Sequence, residues 1–63
     1  MVSAGAARRI DPNYAAAYNN RGNAYYNKKD YRRARADYEK ALQLDPNDAT
    51  ARNNLERLRG MGY

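Results

Sequence analysis

The sequence contains no cysteine and no histidine, and these two absences exclude several kinds of chemistry. Without cysteine there is no disulfide and no thiolate nucleophile. Without histidine the chain lacks the usual zinc ligand and the side chain that most often transfers protons near neutral pH. The carboxylates form no convincing catalytic pair, and no phosphate-binding glycine loop is present. We therefore expect no catalytic residue, no metal site and no cofactor.

Long apolar segments are missing too. Apart from alanine, the aliphatic residues are few: Val2, Ile10, Leu42, Leu44, Leu55 and Leu58. No apolar run approaches the roughly 20 residues that cross a bilayer, and the first residues lack the apolar core of a signal peptide. We expect a cytoplasmic protein with no membrane partner. Because phenylalanine and tryptophan are also absent, the seven tyrosines and the alanines must supply the apolar surface.

Negative charge is scarce relative to positive charge, and the net charge is +5. A basic chain favours anionic partners in general. Five basic residues lie close together and could contact phosphates: Lys28, Lys29, Arg32, Arg33 and Arg35. We favour a solvated surface with helical ion pairs instead, joining Arg33 to Asp37 and Arg35 to Glu39. Nucleic acid is therefore not the partner that the sequence favours.

What the sequence does contain is an internal repeat. The tripeptide Asp-Pro-Asn occurs at 11–13 and again at 45–47, an offset of 34 residues. The same offset aligns further identical or similar residues: Ala7 with Ala41, Ile10 with Leu44, Ala15 with Ala49, Ala17 with Ala51, Asn19 with Asn53, and Asn20 with Asn54. A period of this length is typical of proteins that stack copies of one small structural unit.

Within this repeat the sequence predicts three helices, at about 14–27, 31–44 and 48–59. Apolar or small side chains at three- and four-residue spacing mark them in turn: Tyr14, Tyr18, Gly22 and Tyr25; Tyr31, Ala34, Tyr38, Ala41 and Leu42; Ala51, Leu55 and Leu58. Asn13 and Asp30 are suitable N-caps for the first two helices. Pro46 ends the second helix, and Gly60 is a suitable stop for the third.

The spacing of several residues matches a known motif: Tyr18, Arg21-Gly22, Tyr25, Ala34, Tyr38 and Pro46. This pattern resembles the tetratricopeptide repeat (TPR), a 34-residue helix–turn–helix unit. The resemblance implies an all-α fold with a complete antiparallel hairpin over 14–47. It also implies a remnant of a preceding repeat at 1–13 and a third helix within 48–63. That third helix either caps the unit or begins the next repeat.

The resemblance also implies how the hairpin packs, because small residues in this family lie where the two helices approach closely. Gly22 is expected to face Ala34, with tyrosine rings around the contact. The implied packing residues are Tyr18, Gly22, Tyr25, Tyr31, Ala34, Tyr38, Ala41 and Leu42. Arg21 and Arg35 depart from the pattern at positions that are usually aliphatic, and Lys29 replaces a common glycine. With neither glycine nor proline, the turn at Lys29 has no strong barrier to becoming continuous helix.

One face of the first helix is implied to be the concave face on which TPR proteins bind extended peptides. The candidate peptide-binding residues are Ala16, Asn19, Asn20, Asn23, Tyr26, Asn27 and Asn54. Asn23 and Asn54 match two asparagine positions of the clamp with which chaperone-binding members hold a terminal carboxylate. Asn19, however, stands where that clamp has lysine. Ordinary repeat consensus without a ligand is the alternative that we favour for this set.

The function most consistent with these features is a non-catalytic protein–protein interaction or scaffold module. Its partner is expected to be a protein or an extended peptide. Because one repeat cannot bury its apolar faces alone, we also expect a homo-oligomer, formed by head-to-tail stacking or by helix exchange through a straightened first turn. Two alternatives stay open: an engineered minimal repeat used for self-assembly without a natural ligand, and a weak basic RNA-binding module.

Overall fold

The computed structural model describes residues 12–63 as three α-helices joined by two short turns. The helices are α1 (Pro12–Asn27), α2 (Tyr31–Leu44) and α3 (Ala49–Gly60). No strand occurs in this part of the chain, so the predicted all-α class is confirmed. The implied repeat remnant at 1–13 lies, up to residue 11, outside the described residues.

Each helix begins at a residue that suits a first turn. Two begin after an aspartate whose side chain accepts a hydrogen bond from a first-turn amide, and one begins at a proline. Asp30 accepts a hydrogen bond from the Arg33 amide at the start of α2, as predicted. Asp48 accepts one from the Ala51 amide at the start of α3. The first helix differs from its prediction, because α1 already includes Asn13, the expected cap. A proline suits the first helical position because its φ is fixed near the helical value and it has no amide hydrogen to leave unpaired.

The first turn remains a turn, and α1 and α2 are separate helices. The amide of Lys29 donates to the carbonyl of Tyr26, and the amide of Asp30 donates to the carbonyl of Tyr25. This bond pair is the Schellman ending of a helix, which needs one residue in the left-handed conformation. Lys29 supplies it with φ of 66°. The absence of glycine therefore strains the turn without straightening it.

The third helix ends in the same way, beyond the glycine that the sequence favours. Gly60 is the last residue of α3, and the left-handed residue is Gly62 at φ of 103°. The amide of Gly62 donates to the carbonyl of Arg59, and that of Tyr63 donates to Leu58. The chain thus turns back after α3, which brings the ring of Tyr63 within 5.3 Å of the ring of Tyr31.

The α1–α2 interface is formed at Gly22, whose closest contacts are with Tyr38 and Asp37 rather than with Ala34. A Cβ placed on Gly22 would lie 2.7 Å from Cε1 of Tyr38 and 3.2 Å from Cβ of Asp37. The Tyr38 ring therefore occupies the space that any larger side chain at Gly22 would need. Sequence reasoning matched one small residue to another, whereas the structure packs the small residue against a large ring.

The buried apolar side chains form two clusters that involve α2. One cluster joins Ala34 and Tyr38 of α2 to Leu55 and Leu58 of α3. A second cluster joins residues of all three helices: Ala15, Ala41 and Ala51. Half-buried side chains surround the two clusters: Tyr18, Tyr25, Tyr26, Tyr31, Leu42 and Leu44. The core is thus centred on α2, which packs against both α1 and α3.

Candidate peptide-binding face

The candidate peptide-binding residues lie on α1 and α3, and the structure joins these helices through polar side chains. Asn19 is buried, with 6% of its surface exposed, rather than open to a groove. Its amide nitrogen Nδ2 donates to Oδ2 of Asp48, at a distance of 2.6 Å. Because a carboxylate only accepts, this bond fixes the orientation of the Asn19 amide. Its Oδ1 is buried and has no hydrogen-bond donor.

Asn23 and Asn54, which the sequence places 31 residues apart, are neighbours on this face. Oδ1 of Asn23 accepts from the Tyr38 hydroxyl at 2.6 Å, and Nδ2 of Asn54 lies 3.4 Å from the same oxygen. Burial raises the pKa of the Tyr38 hydroxyl, which keeps it protonated and able to donate. A side chain from the core therefore fixes the position of an amide at the surface.

The remaining members of the set differ in exposure. Ala16, Asn20 and Asn27 are exposed on α1, and Tyr26 is half-buried. The Tyr26 ring meets the ring of Tyr31 edge-on at 5.3 Å, and the Arg57 guanidinium lies 5.7 Å from its centroid. We use the term α1–α3 face for the surface formed by Ala16, Asn19, Asn20, Asn23, Tyr26, Asn27 and Asn54.

A cavity opens at one end of the α1–α3 face, next to the turn between α2 and α3. Its volume is about 320 Å³. It is lined by Ala16, Asn19, Asn20, Asp45, Asp48 and Thr50. Asp45 Oδ1 accepts from the amide of Asn47, which closes the turn. The ionisable side chains at this end are both carboxylates, Asp45 and Asp48.

Arg21, which stands at a usually aliphatic position, forms a paired contact that the sequence did not indicate. Its guanidinium donates to both oxygens of Asp37, from Nε at 2.9 Å and from Nη2 at 2.8 Å. Hydrogen bonding to Asp37, followed by its charge, raises the pKa of Arg21. The same guanidinium lies 5.4 Å from the Tyr18 ring centroid. Arg21 thus neutralises a carboxylate that is buried in the hairpin.

The pairing of Arg21 overturns one of the two ion pairs expected in the basic run. Asp37 does not pair with Arg33, whose Nε lies 3.5 Å from Oδ2 of Asp30 instead. The helix places Asp37 toward α1, where Arg21 reaches it from the facing helix. The pair of Arg35 with Glu39 is present at 3.1 Å. Arg35 also donates to the main-chain oxygen of Tyr63.

Two further properties of the described residues bear on the site. Within 12–63 no three acidic, cysteine or histidine side chains come together in a way that could hold a metal ion. None of the three helices is long and apolar enough to cross a membrane.

Comparison with known proteins agrees with this architecture. The family model for the tetratricopeptide repeat matches residues 15–48, which is more than half of the chain. The chain belongs to the tetratricopeptide-repeat family. Members of the TPR family typically act as protein-interaction modules rather than as enzymes. The protein is thus, in general terms, a TPR interaction module.

One curated relative gives a finer comparison. RNA polymerase II-associated protein 3 of Xenopus tropicalis is 45% identical to this chain over 49 residues. The match covers 78% of this chain but only 8% of that protein. It therefore shows a similar repeat within a far longer relative. No solved structure gives a significant match to the chain.

Sequence reasoning missed several residues of this face because their contacts are distant in the chain. Asp48 meets Asn19 across 29 positions, and Asp45 and Thr50 join the same cavity from the second turn. No local spacing indicates such contacts. One signal for the Arg21–Asp37 pair was available: a carboxylate that the hairpin buries requires a cation, and Arg21 is the charged residue at the hairpin position that is usually leucine.

Proposed function

We propose that the chain is a protein-interaction module that binds an extended peptide across the α1–α3 face. One observation carries the proposal: the amides of Asn23 and Asn54, from different helices, meet at a single point and are fixed there by Tyr38. Fixed amides can pair with the N–H and C=O groups of a peptide main chain at a low entropic cost. The flanking Asn20 and Asn27 are exposed, so a peptide along α1 can reach them.

The experiment is selection of binders from a random octapeptide display library, followed by affinity measurement on variants. Asn20→Ala combined with Asn27→Ala removes two exposed amides from the α1–α3 face. Gln43→Ala removes an exposed amide from α2 and serves as the matched control. We expect the double variant to weaken the selected peptides about tenfold, as for loss of one or two hydrogen bonds, and the control to bind normally. Failure to select any peptide, or equal weakening by both variants, would contradict the proposal.

Self-association is a second candidate, and one observation favours it. The 34-residue offset aligns the buried α3 residues Ala51, Leu55 and Leu58 with exposed positions on α1: Ala17, Arg21 and Ala24. Tyr14, beside them, is 62% exposed. Small and aromatic side chains on either side of Arg21 on α1 are therefore open to a second copy.

The outer side of α3 is charged, unlike the exposed surface of α1, and this affects how two copies could associate. Arg52, Glu56 and Arg59 are exposed there, so α3 offers no apolar surface for head-to-tail stacking. A two-fold pair through α1 is favoured instead. Light scattering over a concentration series tests this candidate, and a single 7.2 kDa species at every concentration would exclude it.

A further inference from the structure

The turn between α1 and α2 is short and contains a strained residue. Only residues 28–30 separate the two helices. Within 12–63, Lys29 is the only residue other than glycine with a positive φ, at 66°. This conformation brings Cβ too close to a carbonyl oxygen, and lysine has no short polar side chain that offsets the cost. Short connections under strain favour the exchange of the elements that they join between copies of a chain.

The first turn can become helical, whereas the second turn cannot. From 23 to 45 the sequence contains neither glycine nor proline. The second turn contains Pro46, and the residue before a proline is disfavoured in the helical conformation. Asp45 is accordingly extended, with φ of −141°. A straightened chain would therefore join α1 to α2 and leave α3 separate.

A continuous helix through the first turn would satisfy more main-chain groups than the turn does. The amides of Lys29 and Asp30 already donate to carbonyls of α1, and these two bonds have equivalents in a helix. The amides of Tyr31 and Arg32, in contrast, have no main-chain acceptor in the described part of the chain. They are among the first amides of a helix, which lack intrahelical partners at any helix start. Straightening gives both of them a carbonyl from the end of α1.

We propose that two copies of the chain exchange α1 through a straightened first turn, so that α1 and α2 of each copy form one helix. The two long helices lie antiparallel, and α1 of one copy packs against α2 of the other. The contacts of the hairpin then form between copies: Gly22 with Tyr38, and Arg21 with Asp37. Because the same atoms meet in both forms, exchange retains this interface and removes the strain at Lys29. The α1–α3 face keeps its residues, but two chains contribute them.

The positive charge of the first turn opposes this exchange. One continuous helix places Lys28 beside Arg32, and Lys29 beside Arg33, at a spacing of four residues. Like charges at this spacing destabilise a helix. The straightened turns of the two copies also lie next to each other in the antiparallel pair, which brings both sets of cations together. Salt screens such repulsion, so the exchanged dimer should become tighter as the ionic strength rises.

The first test measures the dissociation constant of the dimer by analytical ultracentrifugation. Samples are refolded from urea over a concentration series, at about 0.05 M and about 0.5 M sodium chloride. Lys29→Gly fits the turn and weakens the continuous helix, and each dimer contains two such positions. We therefore expect it to raise the dissociation constant about tenfold or more.

Two further variants make this measurement specific. Lys40→Gly is the matched control, because it places the same substitution at an exposed position of α2 that is helical in both forms. It should leave the dissociation constant, expressed per folded chain, within about twofold of the wild type. Lys29→Ala keeps the strained Cβ, favours helix and removes one cation from the turn. It should tighten the dimer, most clearly at low salt.

A second test distinguishes exchange from a pair of intact hairpins. Isotope-labelled and unlabelled chains are refolded together, and isotope-filtered NMR detects contacts between different chains. We expect the Gly22 to Tyr38 contact to join two chains in the dimer and one chain in the monomer.

Each alternative outcome overturns the exchange. A dimer that keeps the Gly22 to Tyr38 contact within one chain excludes it and favours pairing through the outer side of α1. A monomer at every concentration in high salt, for the wild type and for Lys29→Ala, also excludes it. So does an equal effect of Lys29→Gly and Lys40→Gly. Peptide binding is tested separately and stands or falls by the library selection, because the α1–α3 face has the same residues in both forms.

Discussion

The α1–α2 and α2–α3 interfaces are stabilised by different kinds of side chain. Between α1 and α2, Gly22 lets the Tyr38 ring come close, and the polar groups of Arg21, Asp37 and Asn23 complete the contact. Between α2 and α3, the contact is apolar and depends on Leu55 and Leu58. The difference shows that a chain with few aliphatic residues can concentrate them at one interface and rely on ring-to-glycine packing at the other.

The largest effect is expected at the apolar interface. Leu58→Ala should destabilise the chain by about 2–5 kcal/mol, because it leaves a cavity at a fully buried position. A domain of this size has roughly 3–5 kcal/mol in total, so most of the helicity should be lost. Urea unfolding followed by circular dichroism measures the change. Leu44→Ala, at a half-buried position, is the control and should cost less; equal losses would refute the assignment of the core.

At the hairpin interface, adding a single methyl group should be harmful. Gly22→Ala should cost about 1–3 kcal/mol in overpacking against the buried Tyr38 ring, of which better helix propensity returns about 1 kcal/mol. Gly60→Ala is the matched control, since nothing lies within 4 Å of its added Cβ, and it should stabilise α3. In thermal unfolding, Gly22→Ala should therefore lose up to about 2 kcal/mol of stability and should not gain any, whereas Gly60→Ala should have a higher Tm than the wild type. Two stabilised variants would show that Gly22 is not a close contact.

Tyr38 belongs to both interfaces, and the hydrogen bond from its hydroxyl to Asn23 can be tested through its dependence on pH. Tyr38→Phe should cost about 1 kcal/mol near neutral pH through loss of the bond to Asn23. Burial raises the pKa of this hydroxyl in the folded chain, so its contribution is complete below pH 10, the ordinary tyrosine value, and declines as the pH rises through the folded pKa. The stability difference from the wild type should therefore narrow above pH 10. Tyr14→Phe, at an exposed position, is the control near neutral pH and should leave stability almost unchanged.

The smallest effect on stability is expected at the ends of α1 and α3, where Lys29 and Gly62 both have the left-handed backbone conformation. Lys29→Gly should stabilise the chain by about 0.5–1 kcal/mol, because relief of strain exceeds the entropy that glycine adds to the unfolded state. Gly62→Ala should have the opposite effect. A Lys29→Gly variant of unchanged or lower stability would mean that the first turn is not strained.

Local features of the sequence were sufficient for the helices and insufficient for the contacts between them. Asp30 was predictable as a cap because its partner is three residues away. By contrast, Asp37 was assigned to Arg33 by helical spacing, yet it pairs with Arg21 from the facing helix. Asn19 was expected on an open face and is instead turned toward Asp48. Such contacts depend on how α1 and α3 are positioned against α2, and no periodic pattern encodes that.

The most direct test of the proposed binding mode is an NMR map of main-chain amide shifts on titration with the tightest peptide from the octapeptide library. Binding across the α1–α3 face predicts the largest shifts at Asn20, Asn27 and Asn54. The exposed side of α2, at Lys40 and Gln43, should remain unchanged. Shifts concentrated on α2, or around Tyr14 alone, would contradict the account.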